Sequence, residues 1–154
     1  MDNKQQKVLN TFFVETFNKV LSLEEHYISK QVNSELTVRE LHIIEVVSKL
    51  EPCNCSTMSK TAQSLSITIG ALTTAVNVLV RKGYINRGQD PKDRRIVYLH
   101  LTEKGKQAEK IHHKFHEEMI ENVSVSLSDD ELEALISSLE KLSKFFEAPV
   151  KEGE

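Results

Sequence analysis

The chain has 154 residues, 39% hydrophobic and 28% charged, with only five glycines and three prolines. That size holds one ordinary core without disulfides or structural metal, and the scarcity of Gly and Pro favours a mostly helical protein. The net charge of -3 excludes a uniformly basic polyanion binder, and the polar start "MDNKQQKVL" together with the lack of an ~18-residue apolar run leads us to expect a cytoplasmic protein with no membrane partner.

The charge is unevenly spread. From Ser56 to Lys106 nine basic residues face three acidic ones, a net +6 that leaves -9 for the remainder. A basic module carried on an acidic scaffold is expected of a protein whose middle meets a polyanion.

In chain order, apolar residues at steps of three and four predict a first helix over about Lys4–Lys30, long enough to pack against a second chain as well as its own core. Thr37 with Glu40 is a capping-box pattern opening a second helix whose inward residues are Leu41, Ile44, Val47 and Leu50. A short helix in "STMSKTAQSL" and a longer one in "TIGALTTAVNVLVRKG", capped by Thr68 and stopped by Gly83, are joined by "SIT", a helix-turn-helix pattern. Two strand-forming runs, "YINRG" and "IVYLHL", flank a turn-forming cluster between Gly88 and Asp93 and predict a β-wing. Thr102 opens a long helix to about Val125. Ser128 with Glu131 opens a last one to Glu147, striped by Leu132, Leu135, Ile136, Leu139, Leu142 and Phe146.

The outward positions of the second helix of the pair are Thr68, Gly70, Ala71, Thr73, Thr74 and Asn77, with Arg81 further on. Small residues let a helix lie deep in the major groove. There Thr methyls meet thymine methyls and an Asn pairs with an adenine edge. A merely solvated face would carry Glu and Lys. In the wing, Arg94 or Arg95 can enter a narrow minor groove, and the other can pair with Asp93 or Asp90 to hold the tip. Ser56, Thr57, Lys60 and Lys92 are phosphate candidates.

His112 and His116 are four apart on one helix face, a spacing that suits two ligands of one metal; they are read as packing or hydrogen-bonding residues, with metal binding as the alternative. Cys53 and Cys55, one residue apart in a loop, are read as incidental reduced thiols, with redox sensing or soft-metal binding as the alternative. No Gly-rich phosphate loop, nucleophile elbow or metal-hydrolase motif is present, so the reading is not an enzyme.

The order helix, helix, helix-turn-helix, wing, long helix, helix, with "DRRIVYLHLTEKG" inside it, resembles the MarR family of winged-helix regulators. Asp93, Arg95, Val97, Leu99, Leu101, Thr102 and Gly105 fit its wing signature, and "LVRKGYINR" fits the pattern before it. Within that family "RELHIIEVV", "GALTTAVNVLVRKGYI" and "HHKFHEEM" are similar to the FabT-type repressors of fatty-acid synthesis.

The resemblance implies a mainly α winged helix-turn-helix fold and an obligate homodimer. Residues 1–36 and 103–148 would form dimerisation helices, 37–102 the DNA-binding domain and 149–154 a flexible tail. It implies promoter DNA with a pseudo-palindrome as partner, and acyl carrier protein bearing a long acyl chain as corepressor. By family position Arg95 would pair with Asp93, leaving Arg94 as the minor-groove residue. Phe13, Phe17, Leu41, His42, His112, Phe115, His116 and Met119 are the expected effector pocket. Lys19, Arg39 and Lys114 are basic candidates for touching an acidic carrier protein. The same resemblance implies an alternative, a zinc-responsive regulator using Glu24, His42, His112 and His116.

Overall fold

The computed structural model describes residues 1–31 and 36–147. The expected tail, 149–154, lies outside the described residues. Asp2 caps the first helix, α1 (Asn3–Thr11), in a reciprocal capping box with Gln5. The single helix expected over Lys4–Lys30 is interrupted. Phe12–Thr16 forms a π-helical segment before α2 (Phe17–Gln31) resumes. Apolar spacing does not signal this, because one widened turn shifts the stripe by a single residue.

Thr37 and Glu40 cap α3 (Val38–Leu50) as expected. Then come α4 (Met58–Ser64), α5 (Ile69–Arg81), β1 (Ile85–Gln89), β2 (Val97–Leu101), α6 (Glu103–Val125) and α7 (Asp129–Glu147). The strands pair antiparallel with Ile85 opposite Leu101 and Gln89 opposite Val97. Gly83 has φ +78°, and the N–H groups of Tyr84 and Gly83 reach back to the carbonyls of Leu79 and Val80. These two bonds are a Schellman stop, which turns the chain from α5 into the wing.

The chain divides into two compact units, Met1–Phe115 and His116–Glu154, with α6 running through both. The first unit holds the core. Ile28, Leu41, Ile44, Val47, Leu72, Val76, Leu79, Tyr84, Ile85, Leu99 and Ala108 bring α2, α3, α5, both strands and α6 together. Each large aliphatic side chain buried there contributes roughly 1.5–3 kcal/mol. Leu41 is 1% exposed and belongs to this core. It is one of the residues expected to line an effector channel.

The return from wing to helix is equally constrained. The Thr102 hydroxyl donates to the carbonyls of Gly83 and Tyr84 and accepts from the Gly105 N–H. A Cβ on Gly105 would stand 2.2 Å from the Tyr84 carbonyl oxygen. This close approach is the physical content of the "LTEKG" pattern. Among the described residues no single helix is long and apolar enough to cross a membrane.

Candidate nucleic-acid interface

Helices α4 and α5 meet at 107° across the turn that contains Ser66 at φ +53°. That is a helix-turn-helix crossing. Both helices start on threonine caps: Thr57 accepts the Lys60 N–H and Thr68 the Ala71 N–H. Leu72, Val76 and Leu79 anchor α5 in the core. The opposite face leaves Thr68, Gly70, Ala71, Thr74, Asn77 and Arg81 exposed, as expected.

Thr73 is half-buried, and its hydroxyl donates to the Ile69 carbonyl at 2.7 Å. The Thr74 hydroxyl donates to Gly70 at 3.2 Å. Their hydroxyl protons are thus spent on the helix. A Cβ on Gly70 would meet nothing nearer than the Thr68 hydroxyl at 3.9 Å. Packing within the chain therefore does not require that glycine, whereas close approach of another molecule would.

The wing tip is held by carboxylates and backbone. Asp90 Oδ1 accepts the N–H groups of Lys92 and Asp93 at 2.7 and 3.0 Å, and Asp93 Oδ1 accepts the Arg95 N–H at 3.0 Å. The N–H groups of Asp93 and Lys92 hold the Asp90 carboxyl below the usual carboxylate range. The side-chain pairing expected between Arg95 and Asp93 is corrected: only the Arg95 backbone makes that contact. Among the described residues neither arginine's guanidinium has a carboxylate partner, so neither serves as a strut, and Arg94 and Arg95 are both exposed. Arg95 lines a 290 Å³ cavity with Thr57, Met58, Ser59, Ile96 and Val97, which sets it beside the start of α4.

The structure sorts the basic residues into two groups. Lys82 bridges to Glu40 at 2.8 Å, Lys104 covers the Tyr84 ring and bonds the Lys82 carbonyl, and Lys106 pairs with Glu103. Among the described residues Lys60, Arg81, Lys92, Arg94 and Arg95 stay exposed without a carboxylate, as does Arg87, whose guanidinium reaches the Thr73 carbonyl at 3.5 Å. Arg87 was missed as a site residue, although its place in a basic segment beside the wing turn was legible. Ser56 is corrected in the other direction. It is fully buried, and its carbonyl accepts the Leu99 N–H at 2.8 Å, so it positions the wing and its hydroxyl cannot meet a phosphate.

A second constellation lies inside the first unit. Glu24 on α2 and His112 on α6 are each 1% exposed and bond at 2.6 Å. His42 on α3 lies 3.5 Å from the same Glu24 oxygen. The ligand atoms of Glu24, His42 and His112 all fall within 4.8 Å of one another. Glu45 stands 3.9 Å from the far nitrogen of His112. Burial pushes the Glu45 carboxyl up, but its bond to Lys49 and the charges of Lys49, His112 and His42 bring it below the usual range. Glu45 was missed in the sequence, though it lies three residues from His42 on the same helix.

His116 and Met119 lie in the second unit and are half-buried. Of the other expected effector residues, Phe115 is buried against Tyr27 at 5.2 Å, whereas Phe13 and Phe17 are 40% and 61% exposed on the N-terminal helices.

Comparison with known proteins agrees with this geometry. Residues 36–97 match the MarR family. The chain is 31% identical over 120 residues to the HTH-type transcriptional regulator YkoM of Bacillus subtilis, covering 78% of this chain and 76% of that protein. It is 30% identical to the HTH-type transcriptional regulator YpoP of the same organism, covering 82% and 87%. The crystal structure of Streptococcus pneumoniae FabT in complex with DNA superposes with a TM-score of 0.85 at 33% identity, covering 92% of this chain and 97% of that one. A helix-turn-helix with a small-residue outer face, a wing carrying uncommitted arginines, and relatives that are transcription regulators lead to one conclusion: the chain belongs to the MarR family of DNA-binding transcriptional regulators.

Proposed function

We propose that the chain is a homodimeric repressor of fatty-acid-synthesis genes whose grip on promoter DNA is tightened by long-chain acyl-acyl carrier protein. The observation that carries this reading is the likeness to the FabT–DNA structure over nearly the whole of both chains. Two recognition helices and two wings would meet half-sites of a pseudo-palindrome about one helical turn apart. The dimer reading is supported by apolar side chains left uncovered in each unit. Val8, Val14 and Phe17 in the first are 61%, 54% and 61% exposed, and Phe145 and Phe146 in the second are 72% and 66% exposed. Sedimentation should therefore give twice the 17.6 kDa chain mass.

The test of the corepressor is a gel shift on a fatty-acid-synthesis promoter with and without long-chain acyl-acyl carrier protein. Tightened binding is the expected result. Unchanged affinity would remove the fatty-acid assignment and leave DNA binding intact.

One observation favours a second reading, a zinc-responsive regulator. Two imidazoles and a carboxylate with ligand atoms within 4.8 Å are a donor set that suits zinc. Glu24, His42 and His112 would hold the ion. This reading predicts zinc-dependent operator binding that His112→Ala abolishes. Zinc-loaded protein that retains no metal on elemental analysis would dismiss it.

A further inference from the structure

The only cysteines of the chain, Cys53 and Cys55, belong neither to the core nor to the DNA-facing set. They lie in the turn between α3 and α4. Backbone bonds close that turn: the Cys55 N–H donates to Leu50 at 3.0 Å and the Asn54 N–H to Glu51 at 2.9 Å, with Asn54 at φ +52°. The left-handed residue folds the chain back and sets the Cys55 side chain against the backbone of Cys53. The Cys55 thiol donates to the Cys53 carbonyl at 3.1 Å, and the Cys53 thiol to the Leu50 carbonyl at 3.2 Å. Cys53 is exposed and Cys55 partly so. The neighbouring Cys53 thiol, and then burial, hold the Cys55 thiol above the usual cysteine range.

We propose that Cys53 and Cys55 form a two-thiolate site for a soft, thiophilic d10 cation, with Cu(I) as the type. The turn is already closed by backbone bonds, so binding orders little more than two side chains. One Cu(I) replaces two S–H protons, which leave to solvent. Two Cu–S bonds form, the site ends with one negative charge, and no electron moves. Lys60, whose charge acts on Cys55, partly offsets that charge. Among the described residues no His, Asp or Glu completes a three-ligand group with these thiols. A site of two sulfurs alone suits a soft monovalent ion, whereas structural zinc takes four ligands and harder ions take oxygen. The turn leads directly into Ser56 and Thr57, which fix β2 and cap α4. This site is independent of the fatty-acid reading.

The test is titration of the reduced full-length protein with Cu(I), without oxygen, against a coloured Cu(I) chelator. Expected are one Cu(I) per chain and protection of both thiols from iodoacetamide, read by mass spectrometry. Cys53→Ser and Cys55→Ser should each lower the affinity about a hundredfold, because a chelate loses its second, high-effective-concentration ligand. Retained operator binding by the serine variants serves as the folding control. Uptake that survives Cys53→Ser, absence of uptake by the reduced wild type, or alkylation of both thiols in the presence of Cu(I) would each overturn the proposal.

Discussion

At the scale of single residues, several side chains do something other than their type suggests. Glu24 is an acid with 1% exposure, tolerated because His112 meets it at 2.6 Å and His42 at 3.5 Å. Glu24→Ala leaves a buried imidazole without its acceptor, and we expect a loss of about 2–3 kcal/mol in unfolding free energy, measured by urea denaturation. Asp90 shows the opposite economy. It is a half-buried acid whose carboxylate organises the wing tip through backbone N–H groups. Its folded-state value is depressed, so its contribution is full above the usual carboxylate range and is lost as pH falls through the lowered folded value. Amide NMR of Lys92 and Asp93 should therefore keep wing-turn shifts at a pH where an ordinary aspartate is half protonated, and Asp90→Ala should lose them at every pH. The histidine spacing was legible in the sequence. The resemblance alone supplied Glu24 and His42 as partners of His112; residue spacing could not, because Glu24 and His112 are 88 positions apart and meet only when α2 and α6 pack.

At the scale of elements, caps and stops were read directly from residue types. Thr37 with Glu40, Thr68 and Gly83 all stand where local chemistry puts them. Such features depend on bonds within a few residues, which a linear reading captures. The π segment at Phe12–Thr16 escaped because it changes the helix without changing which residues are apolar. The start of α6 illustrates a motif that becomes physical only in three dimensions. Gly105 is required by a backbone 21 residues earlier in the chain, since its Cβ would collide with the Tyr84 carbonyl. Gly105→Ala should cost about 3 kcal/mol, more than a helix propensity change could offset, and differential scanning calorimetry should show the fall in Tm.

At the scale of the whole molecule, the split between an acidic frame and a basic middle becomes a surface once three lysines are discounted. Lys82, Lys104 and Lys106 are engaged by the scaffold, whereas the wing arginines are not. Arg94→Ala and Arg95→Ala should each weaken operator binding by about 1–2 kcal/mol. Every phosphate that a variant no longer neutralises should also reduce the salt slope of log K by about 0.9, as read from anisotropy titrations over a salt series. The arginine that enters the minor groove is the one whose removal costs more on operators with a narrow, A-tract flank.

The sequence alone determined the order of elements, the helix caps, the position of the wing and the basic segment, because each rests on local periodicity, local hydrogen bonding or a count of charges. Tertiary structure decided the rest. It buried Ser56 and Leu41, gave the wing-tip carboxylates to backbone N–H groups so that both arginines remain uncommitted, gathered Glu24, His42 and His112 from three helices, and turned the Cys55 thiol toward the Cys53 carbonyl. These outcomes depend on which distant surfaces meet and on where the backbone spends its donors, and neither is encoded in the spacing of residues along the chain.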